Sequence, residues 1–354
     1  MAQPTAREEP TGEYLPWRAA MTAALYANDG FYRNTRPARH FSTSSHVDRL
    51  FATALWVLLT KVDRVLDGPE NLDVVDVGGG GGELLCQLWQ LAQTDEDLGS
   101  RVRLVGVDLA SRPPDLPESI LWRDELPTAF SGLLLANEWL DNVPVDVAER
   151  VGHGSGLVTV NPNGDERPGG RLTDTDAAWL ERWWALDKVG HRAEIGHTRD
   201  TAWAGAVKKL NAGLALAIDY GHLRADRPTQ GSLTGYRLGR QQRPIPDGSC
   251  DITAHVAFDS VAAAGRNALG AGAAEPILVS QREALRALGV RGGRPPRGLA
   301  STHPATYLQA LGQATHAAEL LDSAGLGGFF WLGQPVGLGA ADRRQLTAAL
   351  GMSG

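Results

Sequence analysis

The run Val74-Val75-Asp76-Val77-Gly78-Gly79-Gly80-Gly81-Gly82-Glu83-Leu84-Leu85 constrains this chain more than any other segment. It reads as a buried strand ending on an acid, then a glycine hinge, then the first turn of a helix carrying Leu84, Leu85 and Leu88. Five consecutive glycines carry no Cβ, so a ligand can approach the backbone directly. That freedom costs folding entropy, and a turn that had only to reverse direction would use fewer glycines. The apolar strand before it and the helical pattern after it argue against a flexible linker.

The spacing selects among ligands. A dinucleotide fingerprint needs its third glycine three places after the second. Counted from Gly78 and Gly80 that place is Glu83, and no other frame through the run completes the pattern. A phosphate loop would need a following lysine, and there is none. The frame that fits, Asp76-x-Gly78-x-Gly80-x-Gly82, resembles the signature of class I S-adenosylmethionine (SAM) methyltransferases. SAM has an amino-acid end and no pyrophosphate, so Asp76 can face its ammonium without repelling a phosphate. A second strand, residues 103–109, delivers Asp108, placed to accept the ribose hydroxyls. A nicotinamide cofactor would use the same acid; the glycine frame decides against it.

Further candidates sit at the ends of later strands. Ligands bind beyond the carboxyl ends of parallel strands, and Leu133-Leu134-Leu135-Ala136 runs into Asn137, Glu138, Trp139 and Asp141. Asn137 is a further candidate cofactor contact, and Glu138 and Asp141 can clamp a cationic or hydrogen-bonding acceptor. Ala215-Leu216-Ala217-Ile218 delivers Asp219, Tyr220 and His222 to the same mouth. Asp251 is expected to open a helix, as its cap or as a site residue. Thr43, in Phe41-Ser42-Thr43-Ser44-Ser45, belongs either to a hydroxyl cap on the helix at 44–66 or to a lid over the cofactor.

The expected fold class is α/β: a Rossmann-like parallel sheet with helices on both faces, an N-terminal helical cap, and a large insertion after the fifth strand. Residues 1–13 read as a disordered tail, 14–70 as the cap, and 71–220 as the SAM-binding core with an insertion at about 145–200. Residues 221–335 read as a substrate-side insertion that completes the core, and 336–354 as a C-terminal tail. Residues 145–160 suggest a hairpin, 161–171 a polar loop, and 221–252 a long polar stretch. The net charge of −7 over 354 residues argues against nucleic acid as the main partner. The two cysteines, Cys86 and Cys250, fit no zinc spacing, so no metal is expected. No apolar run reaches membrane-spanning length, and residues 1–10 lack a signal-peptide core; a cytoplasmic location is expected.

Several segments together resemble MidA-type SAM-dependent methyltransferases, relatives of the mitochondrial methyltransferase that assists assembly of respiratory complex I. They are Gly30-Phe31-Tyr32, Phe41-Ser42-Thr43-Ser44, the glycine run, residues 136–144, Ile218-Asp219-Tyr220-Gly221-His222, Gly231-Ser232-Leu233 and Asp251-Ile252-Thr253-Ala254-His255-Val256. The resemblance spans about residues 25–335. It implies SAM as cofactor and a protein acceptor, arginine in the mitochondrial branch. Trp139-Leu140-Asp141-Asn142 replaces the family's usual Phe-Asp-Ala core, and the ribose acid is Asp108 where glutamate is usual. A small-molecule O- or C-methyltransferase, and a SAM-binding assembly factor with little turnover, are the alternatives. The oligomeric state is open.

Overall fold

Residues Leu72–Val77 form a strand, β1, buried along its whole length. Continuous burial is what a parallel strand covered on both faces requires. The computed structural model describes residues 13–34, 49–152 and 154–352. Thr43 and the rest of Phe41–Ser45 lie outside the described residues, as does the start of the helix expected at 44–66, which is described as Arg49–Val65.

Six more strands complete the central sheet: β2 (Val102–Val107), β3 (Leu121–Arg123), β4 (Phe130–Asn137), β5 (Leu210–Asp219), β6 (Ile277–Ser280) and β7 (Phe330–Val336). Their order is β6-β7-β5-β4-β1-β2-β3. Strand β7 runs antiparallel to β5 and β6, and the remaining neighbours are parallel. The expected α/β fold is present. Side chains alternate across β5: Leu214, Leu216 and Ile218 join one apolar cluster, and Ala215 and Ala217 the other. On the first face lie the helices Arg49–Val65, Glu83–Ala92, Gln281–Ala287, Pro304–Leu320 and Ala340–Ala349. On the second, the small alanines face Trp203 of helix His197–Val207 and Phe258 of helix Phe258–Leu269. The strand order reverses between β1 and β4, and the crevice beyond their carboxyl ends is where such sheets bind ligands.

The segment between β4 and β5 builds a separate antiparallel sheet. The expected hairpin is there, Asp146–Val151 against Gly154–Val160. Residues 161–171 are not a loop throughout: Glu166–Gly170 is a strand on Gly154–Val160. All five of its residues are exposed, so it carries no apolar alternation for a sequence reading to find. Arg192–Ile195 and Leu15–Pro16 fill the two edges. Helix Trp17–Tyr26 packs Trp17, Met21 and Leu25 onto this sheet through Val145, Val147, Val158 and Val160. The polar stretch 221–252 contributes a small sheet of Thr234–Arg237, Arg240–Gln242 and Asp251–Thr253. Asp251 is therefore in a strand, paired with Tyr236, and does not open a helix as expected. The helix starts seven residues later at Phe258, with no side-chain cap. No described helix is long and apolar enough to cross a membrane. Among the described residues no group of His, Cys, Asp and Glu could hold a metal ion.

Candidate active site

After β1 the backbone turns over the glycines. Gly78 donates to the Val107 carbonyl at 2.9 Å, which ties the turn to β2. Gly78 and Gly80 have φ of +74° and +54°, in the left-handed region where side chains are disfavoured. A Cβ on Gly78 would sit 2.8 Å from Cδ1 of Trp139, whereas a Cβ on Gly80 would meet nothing within 4 Å. Trp122 of β3 lies against the other side of the turn, 3.3 Å from a Cβ on Gly79, and donates its Nε1–H to Ala110. The sequence reading did not single out Trp122. Its signal is the bare Gly106 beside it, where a Cβ would clash with the indole at 2.4 Å.

A cavity of about 1350 Å³ opens over this turn. Residues following β1, β2 and β3 form one end: Gly78 to Gly81, Glu83, Asp108, Leu109 and Asp124. That end has carboxylates and bare backbone but no basic side chain, which suits a ligand carrying an ammonium and hydroxyls and would repel a phosphate. Asp108 accepts from the N–H groups of Gly80 (2.9 Å) and Ala110 (2.8 Å). Asp76 is buried and does not line the cavity. Burial, with Asp108 and Glu83 nearby, pushes its pKa up to about 7.

The segment after β4 forms the opposite wall. Glu138 has φ +52°, a strained backbone for a glutamate, and lines the cavity beside Asn137. The Asn137 amide donates to Glu138 Oε1 at 3.4 Å, and its buried Oδ1 has no hydrogen-bond partner among the described residues. Asp141 Oδ2 accepts the hydroxyls of Tyr220 at 2.5 Å and Thr253 at 2.7 Å. Its buried Oδ1 also has no partner among the described residues. Burial raises the Asp141 pKa, and the hydroxyls of Tyr220 and Thr253 and the Arg199 charge oppose that rise.

The two remaining residues singled out after β5 lie elsewhere. Asp219 is fully buried and does not line the cavity. Its Oδ2 accepts the backbone N–H groups of Leu140 (3.0 Å) and Asp141 (3.1 Å), so it holds the turn that presents Asp141. His222 does not line the cavity either; it packs edge-on against Trp184, and its Nδ1 meets Arg227 at 2.6 Å. Burial and the Arg227 charge push its pKa down to about 3, so it is neutral at physiological pH.

Sequence reasoning gave no site role to several further contributors. Arg199, 1% exposed, donates to the carbonyls of Asp141, Val143, Ala254 and His255. Tyr32 donates to Asp251 Oδ1 at 2.7 Å, and Asn142 donates to the same oxygen at 3.0 Å. Tyr26 stacks on Tyr32 and also lines the cavity. Beyond the glycine turn the cavity is thus lined by Tyr26, Tyr32, Tyr220 and Tyr236 together with the carboxylates Glu138, Asp141 and Asp251, and by Arg18 and Arg33.

A family model described as "Putative S-adenosyl-L-methionine-dependent methyltransferase" matches residues 52–277. A Burkholderia thailandensis protein crystallised bound to S-adenosyl-homocysteine has the same fold, with 24% identity and a TM-score of 0.78 over 94% of this chain and 90% of that one. An uncharacterized protein from the same organism gives 26% identity and a TM-score of 0.74 over the same shares. No curated protein sequence matches the chain.

Proposed function

The chain belongs to a family of S-adenosyl-L-methionine-dependent methyltransferases, as the MidA-type resemblance implied, and from that premise we propose that its acceptor is the guanidinium of a protein arginine. The observation that carries the reading is the pair Glu138 and Asp141, on the cavity wall facing the glycine turn. A guanidinium stays protonated at any ordinary pH, so an enzyme that methylates it must hold it with carboxylates. Planar carboxylates match its fork of N–H donors.

The bound cofactor supplies an electrophilic methyl on a sulfonium. The residues fit it: bare backbone at Gly80, the acid Asp108 for ribose hydroxyls, and Asn137 Oδ1, which has no partner among the described residues, for its ammonium. The Burkholderia neighbour was crystallised bound to S-adenosyl-homocysteine, which supports the identity of the cofactor. Chain groups then do three things. Glu138 and Asp141 orient the acceptor nitrogen, and such alignment contributes about 7–11 kcal/mol of barrier lowering. Tyrosines 26, 32 and 220 exclude water from around the charge. As the acceptor nitrogen takes the methyl and the sulfonium leaves as a neutral thioether, the nitrogen's proton goes to the carboxylate of Glu138, which lines the cavity.

Tritiated-methyl labelling of a cell lysate, followed by acid hydrolysis of the protein fraction, tests this. Label recovered as methylarginine is the expected result. Label confined to small molecules would transfer the cavity to a metabolite acceptor and overturn the reading.

A further inference from the structure

We propose that the hairpin Thr234–Arg237/Arg240–Gln242 is a docking finger, on which Arg237 and Arg240 engage an acidic segment of the acceptor protein; this rests on the protein-acceptor reading above. The base of the hairpin belongs to the site, since Thr234, Tyr236 and Gln241 line the cavity. Its tip projects into solvent, with Arg237, Leu238, Gly239 and Arg240 all exposed. Arg237 and Arg240 are directly opposed across the two strands, an arrangement in which like charges repel. Among the described residues neither has an ion pair, although Arg243, just beyond, pairs with Asp165 at 3.2 Å. Among the described residues no carboxylate answers these two adjacent guanidiniums, which suits them to an acidic partner.

Leu238 and Gly239 form the two-residue turn that closes the hairpin. Leu238 is 70% exposed at the very tip, and its φ is +50°. A leucine in the left-handed region is strained, and here burial does little to offset the cost. An exposed apolar residue between two arginines suits a segment that alternates acidic and apolar side chains.

Charge complementarity favours an acidic protein over nucleic acid. The chain carries a net charge of −7, so a local pair of opposed guanidiniums orients an acidic partner that the net charge otherwise repels. A polyphosphate backbone would need a broader basic face.

The test compares wild type with R237E/R240E and with L238N, measuring the initial rate of methyl labelling of lysate protein together with SAM affinity by calorimetry. In R237E/R240E labelling falls by about tenfold or more at low salt, SAM affinity stays within about twofold, and added salt narrows the gap through screening. Asparagine tolerates positive φ, so L238N keeps or raises the melting temperature while labelling falls about threefold or more; a merely structural tip would only benefit. Poly-L-glutamate inhibits wild type and not R237E/R240E. Equal labelling rates in wild type and R237E/R240E overturn the finger and leave the arginine acceptor standing. Absence of protein label from wild type overturns both. Inhibition by single-stranded DNA where poly-L-glutamate has no effect overturns the acidic-protein assignment.

Discussion

Asp108 accepts the Gly80 N–H at 2.9 Å, so the acid that ends β2 fixes the conformation of the turn that follows β1. Its second oxygen takes the Ala110 N–H. A carboxylate offers about four acceptor positions, which leaves room for two ribose hydroxyls. Asp108→Ala removes both roles at once. The expected result is a loss of SAM affinity of about 10- to 100-fold, or roughly 1.4–2.8 kcal/mol, by calorimetric titration. Unchanged affinity would show that the backbone alone binds the nucleoside.

The glycines of the turn should separate stability from binding. At Gly80 a Cβ meets nothing within 4 Å and φ is +54°. Gly80→Ala therefore costs about 1–2 kcal/mol of backbone strain, yet its methyl points into the space the cofactor needs. At Gly78 the methyl collides with Trp139 at 2.8 Å. Gly78→Ala should lower the melting temperature more than Gly80→Ala, while Gly80→Ala retains most of its stability and loses SAM affinity. The reverse ranking would mean that the cavity does not extend over Gly80.

What could be read from sequence was local in sequence. The change from strand to helix periodicity around the glycines, and the polar residues at the ends of β4 and β5, need no knowledge of distant partners. Arg199 shows the limit: nothing on its helix marks it as special, and its four carbonyl partners lie 55 to 58 residues away along the chain. Asp251 was singled out, but its tyrosine is 219 residues distant, so a helix cap was the nearer explanation. Nothing in Asp219-Tyr220-Gly221-His222 distinguishes Tyr220, which reaches Asp141, from His222, which turns toward Trp184 and Arg227. Strand Glu166–Gly170 has no apolar alternation and is held by backbone pairing and by Glu166 bonds to Trp17 and Arg192, partners too distant in sequence to be read from pattern.

Glu138→Gln keeps the shape of the side chain and removes its charge. The cofactor end of the cavity is unaffected, so SAM affinity should stay within about twofold while turnover falls by about tenfold or more, as for loss of a proton acceptor. Equal losses in both would refute the division of the cavity into cofactor and acceptor ends.

Asp251 sets a pH dependence of stability whose sign is fixed. Burial and the neighbouring Asp141 raise its pKa to about 7 in the folded chain, against about 3.9 in an unfolded one. Between those values the folded state binds the extra proton. Its contribution is therefore complete below about pH 3.9 and is lost as pH rises toward 7, by at most about 1.4 kcal/mol per pH unit. His222 opposes this, because its folded pKa near 3 makes stability rise with pH up to about 6.5. Subtracting Asp251→Asn from wild type isolates the carboxyl. The difference in unfolding free energy, wild type minus variant, should fall between pH 4.5 and pH 7 in urea titrations; a rise would reverse the assignment.

Arg199 tests whether the acceptor wall is held from behind. Its guanidinium binds the carbonyl of Asp141 at 2.5 Å, and those of Val143, Ala254 and His255, joining the turn after β4 to the segment after Asp251–Thr253. Removing one partner from a buried charged network costs about 3–5 kcal/mol, a large share of the roughly 5–15 kcal/mol that holds a typical domain. Arg199→Met should therefore unfold at markedly lower temperature. Arg199→Lys is the more informative change. A lysine keeps the positive charge near Asp141 and Asp219 but has no planar fork with which to span four carbonyls. The expected variant is folded, melts earlier, binds SAM with near-normal affinity because the glycine turn and Asp108 are untouched, and turns over slowly because Asp141 is no longer held in place. If Arg199→Lys matched wild type in turnover and melting, charge neutralisation would be the function of this side chain, and the geometric clamp would not be.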